Sequence, residues 1–239
     1  MAMTEHTPQD GAEGLGLQAA LNAGQIRLRG LLGALTDDAA REPSALPGWT
    51  RGHVLTHLEG VARALARQAR YALRGRLVEV YDGGRPARDA AIEAGHGRSA
   101  GRLAAAVGDA LDEAEASWGA VGPGDWQRPV SYRDGTVLTA GLAWWRELEI
   151  HTADARLGTG PDRWPPHLCV HLVDFLSVRV PYGTELRLTA VDAERSWTLG
   201  SGEPVEVGGR LTDVAAWLAG RAPQQPLTGG PLPELDGWP

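Results

Sequence analysis

Along the first two thirds of this chain, apolar residues recur at the steps of three and four that let a helix turn one stripe toward a core. Leu17, Leu21, Leu28, Leu31 and Leu35 form such a row, with Gly24 leaving a gap in it, and predict a first amphipathic helix. The segment Pro43 to Gly48 (PSALPG) interrupts the period, and Thr50 is placed to cap a second helix through Val54, Leu58, Val61 and Leu65. Turn-forming residues from Tyr81 to Pro86 (YDGGRP) predict a long crossing segment. Leu103, Val107, Leu111, Ala114 and Trp118 then mark a third helix. Beyond the loop at Gly122-Pro123-Gly124, a fourth helix is expected from about Val137 to Leu157, with Gly158 as its stop.

The pattern then changes. Gly158 to Pro166 (GTGPDRWPP) holds three prolines and two glycines, too many for a helix or a central strand, and marks a domain boundary. Pro166 suits the first turn of a helix through Val180. Leu186, Leu188 and Ala190 alternate with polar neighbours as a half-buried strand, Asp192 to Arg195 makes a turn, and Ser196 to Leu199 returns. Val205 to Val207 reads as a third strand and Leu211 to Ala219 as a helix closed by Gly220. The expected fold class is therefore α+β. A four-helix bundle over residues 1–160 precedes a smaller α/β domain over residues 161–239.

With 239 residues and 43% hydrophobic content, the chain can bury a sizeable core unaided. Every basic residue is arginine, which fits the codon usage of a GC-rich genome. A formal net charge of −7 without basic runs argues against a nucleic-acid surface and leaves small molecules as the expected partners. Met1 to Asp10 lacks the features of a signal peptide, and no stretch approaches about 18 uninterrupted apolar residues, so no membrane contact and a cytoplasmic location are expected. The single cysteine, Cys169, excludes an internal disulfide and sits in the apolar run Leu168 to Val170, where it reads as a small buried hydrophobe.

Two helical stretches carry the chemistry. In the second helix His53 and His57 share a face at i,i+4, and in the fourth Glu147 and His151 do the same. Two helices that each turn such a pair inward can hold one divalent metal, and three ligands of this kind leave a coordination position open, as catalytic zinc sites do. Either histidine of the second helix satisfies this reading. A helical Glu-His pair is otherwise an ordinary surface pair worth a few tenths of a kcal/mol. Glu149 illustrates that case, on a different face and expected in solvent. His6, His96, His167 and His171 have no paired pattern and are expected at the surface or in the core. Most of the nine tryptophans read as core anchors, while Trp145 is placed to wall a pocket.

The strings LPGWTRGHVLTHL, YDGGRPARDAAIEAG, WWRELEIHTADARLG and DVAAWLAGR, in this order, resemble the mycothiol-dependent maleylpyruvate isomerases of actinobacteria. The resemblance implies an N-terminal four-helix domain of the DinB-like type joined to a small C-terminal α/β domain. It implies a divalent metal, preferably zinc, held by His57, Glu147 and His151. His57 is favoured over His53 because, in DinB-like proteins, the ligand histidine stands about eight residues after a tryptophan, here Trp49, and before an apolar residue, here Leu58.

It also implies mycothiol as a low-molecular-weight thiol partner and a substrate with two carboxylates. Arg88, in the ARDAAIEAG string, and Arg221, in AWLAGR, are the candidates to bind or stabilise that substrate. A thiolate that adds to a double bond and leaves again lets the bond rotate while it is single. Two other activities share these residues: a mycothiol S-transferase that stops after addition, and a non-catalytic protein that keeps a metal for structure.

Overall fold

The structure is a computed structural model and describes residues 8–239. The chain divides into two compact units, Met1–Gly158 and Thr159–Pro239.

The first unit is helical. α1 spans Pro8–Leu32, α2 Asp37–Arg41, α3 Arg51–Ala72, α4 Gly84–Gly95, α5 Ala100–Gly119 and α6 Val137–Asp154. α3 is the centre of the packing: it lies against α5 and α6, while α1 lies against the same two helices. Val54, Leu55, Leu58, Val61, Ala62, Leu65 and Ala69 of α3 are all buried, so this helix hides well more than one stripe. Trp118, Trp126 and Trp144 fill the space between elements and are fully buried.

Gly24 explains the gap in the leucine row of α1. A Cβ at that position would stand 2.7 Å from Leu148 Cδ2 and 2.8 Å from Glu149 Oε1, so α1 and α6 approach too closely there for a side chain. That approach also corrects the expectation for Glu149, which is buried and ion-paired with Arg27 of α1 instead of standing in solvent.

Both helices that carry the candidate ligands start on threonine caps. Thr50 Oγ1 accepts from the His53 backbone N–H, and Thr136 Oγ1 accepts from that of Thr139. The turn expected at Tyr81 to Pro86 runs directly into α4, a 12-residue helix where the sequence pattern predicts only a crossing. Pro86 falls in its first turn, where a missing N–H costs nothing. α6 ends at Asp154, three residues short of the expected Leu157.

The second unit opens with a 3₁₀ turn at Pro161–Arg163 and α7, Pro166–Phe175. α7 stops short of the expected Val180 because a 3₁₀ turn, Leu176–Arg179, follows it. The strands are β1 (Gly183–Ala190), β2 (Arg195–Gly200), β3 (Gly202–Gly209) and β4 (Thr228–Gly229), and α8 (Leu211–Leu218) lies between the last two in sequence. The sheet order is β2-β1-β3-β4, with β1 antiparallel to β2 and parallel to β3. Leu186, Leu188 and Ala190 of β1 are buried at alternate positions, and α8 packs on β1 and β3. The fold is thus mixed α+β. Among the described residues no helix is long and apolar enough to cross a membrane.

Candidate metal centre

α3 and α6 pack side by side and bring His57 against Glu147 and His151. His57 Nε2–H donates to Glu147 Oε2 at 2.9 Å, and His151 Nε2 stands 3.2 Å from the same oxygen. The two imidazoles meet edge to face, with centroids 4.7 Å apart. Two ring nitrogens from two helices therefore converge on one carboxylate oxygen.

Each histidine is oriented by a further partner. His151 Nδ1–H donates to Asp154 Oδ2 at 2.9 Å, and that aspartate is almost wholly buried at the end of α6. His57 Nδ1 lies 3.1 Å from Arg88 Nη2. Because a guanidinium can only donate, Nδ1 accepts there, and the ring proton of neutral His57 resides on Nε2.

The protonation states follow from these contacts. Burial lowers the His57 pKa, with the positive charges of His151 and Arg88 acting in the same direction against the hydrogen bond to Glu147, so the ring is neutral. Burial also opposes a charge on His151, but the Asp154 and Glu147 carboxylates outweigh it and push that pKa up to about 9. Burial favours a neutral Glu147, yet the hydrogen bonds from His151 and His57 hold its carboxyl well below the usual carboxylate range. The centre thus holds a carboxylate, a neutral imidazole and an imidazolium.

This donor set fits a divalent metal. Two imidazole nitrogens and a carboxylate oxygen form a zinc-type triad, and their ligand atoms already lie within 4.8 Å of one another. A carboxylate that fixes the outer nitrogen of a ligand histidine, as Asp154 does for His151, is the usual support of such a site. His53, the other candidate, does not join this group. It is drawn instead toward Glu93 and His96.

A cavity of about 210 Å³ opens over His57 and Glu147. Val61, Leu65 and Val80 give it apolar walls, and Tyr81, Tyr132, Arg85 and Arg88 give it polar ones. Arg88 thus presents its guanidinium to the cavity beside His57. Burial raises the pKa of Tyr81, which keeps its phenol protonated. Burial also lowers Arg146, next to Glu147, to about 10, which leaves it charged at neutral pH. Trp145 is buried and does not line this cavity.

Arg221 belongs to the second unit, where Nη1 donates to the Ala219 carbonyl at 2.6 Å and the guanidinium lies 5.7 Å from the Trp238 ring. Cys169 is fully buried. His6 lies outside the described residues.

Sequence reasoning missed Asp154, Arg85, Tyr81 and Tyr132. Asp154 had a signal, three residues beyond His151 and so on the same helical face. Arg85 and Tyr81 stand in the YDGGRPARD string but only the fold turns them toward His57.

Fold and site together define a class: an α+β protein whose helical unit carries a two-histidine, one-carboxylate cluster of metal-ligand type beneath an arginine-lined cavity. More particularly, the chain belongs to the mycothiol maleylpyruvate isomerase N-terminal domain family, whose sequence model matches residues 21–156. No curated protein matches the chain. Among solved structures, it is similar to the mycothiol-dependent maleylpyruvate isomerase, with a TM-score of 0.83 and 21% identity over 94% of this chain and 97% of that one. A histidine-to-alanine mutant of the mycothiol-dependent maleylpyruvate isomerase gives a TM-score of 0.82 at 20% identity over the same shares. At these identities the likeness is one of fold.

Proposed function

We propose that this protein is a mycothiol-dependent cis–trans isomerase that converts maleylpyruvate to fumarylpyruvate, built on a DinB-like four-helix bundle with a divalent metal, zinc by preference, at His57, Glu147 and His151. The observation that carries the reading is the convergence of two imidazole nitrogens on one Glu147 oxygen, beneath a cavity that presents Arg85 and Arg88. When bound, the metal would supply a Lewis acid that favours the thiolate form of the thiol at neutral pH. Since the only cysteine is buried, the thiol comes from outside the chain. Its addition to the double bond leaves a single bond free to rotate, and its elimination returns the thiol and the trans product.

The chain's own residues bind and orient. Asp154 fixes the His151 ring, and Arg88 contacts His57 on one side while its guanidinium lines the cavity. Arg85 and Arg88 suit two carboxylates, and the charge that grows on the substrate's enolate during addition is stabilised by the same guanidinium groups. Val61, Leu65 and Val80 thin out water around that charge, which strengthens each contact. Arg221 is proposed as a further residue needed for activity. A small dicarboxylate and a thiol are the partners of this reading, with no nucleic acid or membrane, in the cytoplasm.

The test is conversion of maleylpyruvate by zinc-loaded protein with and without mycothiol. Turnover only with the thiol is expected. Absence of turnover with metal bound, together with mycothiol consumption on another electrophile, would replace the isomerase by an S-transferase.

A further inference from the structure

One turn before His57, α3 presents a second histidine to a different neighbour. His53 Nδ1 is 2.7 Å from Thr50 Oγ1 and 3.1 Å from the Thr50 backbone nitrogen, so the ring is fixed at the helix cap. Its other nitrogen, Nε2, faces α4 at 3.9 Å from Glu93 Oε1. The ring stacks on His96, with centroids 3.7 Å apart and planes 13° from parallel, and the Trp49 ring stacks on His53 at 6.0 Å.

This meeting is built into the backbone. A Cβ on residue 52 would lie 2.2 Å from the His96 carbonyl oxygen, so only glycine lets the end of α4 rest on the start of α3. One ligand atom each from His53, Glu93 and His96 then lies within 4.8 Å of the others.

We infer that His53, Glu93 and His96 form a second site for a divalent first-row metal ion, zinc foremost, separate from the His57 centre. Two imidazoles and a carboxylate are a zinc-type donor set. His53 is held at the cap, where Nδ1 accepts the Thr50 backbone N–H and Nε2 is left facing Glu93. Zinc at Nε2 would select the other tautomer, its proton carried on Nδ1 and donated to Thr50 Oγ1 2.7 Å away, an outer hydrogen bond of the kind that orients a ligand histidine. Parallel rings cannot both aim a lone pair at one ion, so one must turn. His96 is only half-buried at the C-cap of α4 and Glu93 is exposed, so these two side chains close on the fixed His53. Ligand atoms around a tetrahedral zinc lie on the order of 3.3 Å apart, which leaves an adjustment of up to about 1.5 Å from the 4.8 Å within which they now lie. The ion would tie α4 to α3, and the site does not depend on the activity proposed for the other centre.

Equilibrium dialysis of the full chain against Zn²⁺ alone, followed by metal quantification, tests the inference. His96→Ala is expected to bind one zinc equivalent fewer than the unaltered protein at saturation, with its helical circular dichroism unchanged. That equivalent is additional to the one lost by His57→Ala, so the double variant loses both. Equal stoichiometry in His96→Ala and the unaltered protein overturns the site, as does a double variant that loses no more than His57→Ala. Glu93→Gln provides an independent arm: because loss of even an outer partner weakens metal binding 10–100-fold, it is expected to weaken the second zinc by at least about tenfold. Unchanged affinity in Glu93→Gln also overturns the site.

Discussion

His151 is the residue at which burial, hydrogen bonding and the proposed metal chemistry meet. With its pKa near 9, the ring is an imidazolium at neutral pH, whereas Glu147 is ionised and His57 is neutral. A metal needs the Nε2 lone pair, so its uptake at pH 7 should release one proton from His151. Affinity should therefore rise with pH, by about tenfold per unit, up to the His151 pKa and level off above it. Calorimetric titrations in two buffers of different ionisation enthalpy measure the proton directly. Zero protons released at pH 7 would contradict the protonation scheme.

Asp154→Asn removes the carboxylate that holds the ring. It should weaken zinc binding by roughly 10–100-fold in chelator competition, and release fewer protons because the His151 pKa falls. Alanine at His57, Glu147 or His151 should each remove one zinc equivalent and leave the helical spectrum intact. Full metal retention by His57→Ala would move the assignment to His53. The spacing of these residues is legible in the sequence, since i,i+4 is a local property of a helix. Asp154 is readable by the same kind of spacing, but its role as a support emerges only once His151 is seen to point at Glu147.

At the scale of elements, α1 and α6 touch where Gly24 lies on Leu148 and Glu149. Gly24→Ala must push those side chains aside, and overpacking of this kind costs about 1–3 kcal/mol. Urea denaturation should show that loss, with a compensating gain from helix propensity of no more than about 1 kcal/mol. The row of leucines announces α1, but the gap within it carries the more specific information, because a missing side chain marks a contact that periodicity does not describe.

Glu149 departs from its expected place for a related reason. Its angular position on α6 does differ from that of Glu147, but a helix with neighbours on several sides has no face that must be wet. α4 escapes the pattern because its two opening glycines and Pro86 signal a turn. They do so here as the start of a helix, and only Ile92 of that helix is buried, too little apolar pattern to declare it.

For the whole molecule, the consequence to test is activity of the intact chain. Arg88→Lys keeps the charge but loses the planar fork, and should lower kcat/KM by roughly tenfold or more, about 1.4 kcal/mol at the least, with zinc content unchanged. Arg221→Ala, in the second unit, is expected to do the same. An Arg221→Ala enzyme with full kcat/KM would remove that residue from the proposed machinery. By itself the sequence determined the four long helices α1, α3, α5 and α6, the Thr50 cap, the strand positions of β1 to β3, the α+β class and the two candidate ligand pairs, because each follows from periods of 3.6 or 2 residues, or from a cap beside them, acting over a few turns. Only the tertiary structure decided which histidine of α3 meets Glu147, that Asp154 and Arg88 hold the imidazoles, that Arg85 and Tyr81 line the cavity, and that His53 turns to His96. Those choices depend on how one helix is rotated and shifted against another, and that register is set by contacts such as Gly24 on Leu148 and Gly52 on His96, between residues far apart in the chain.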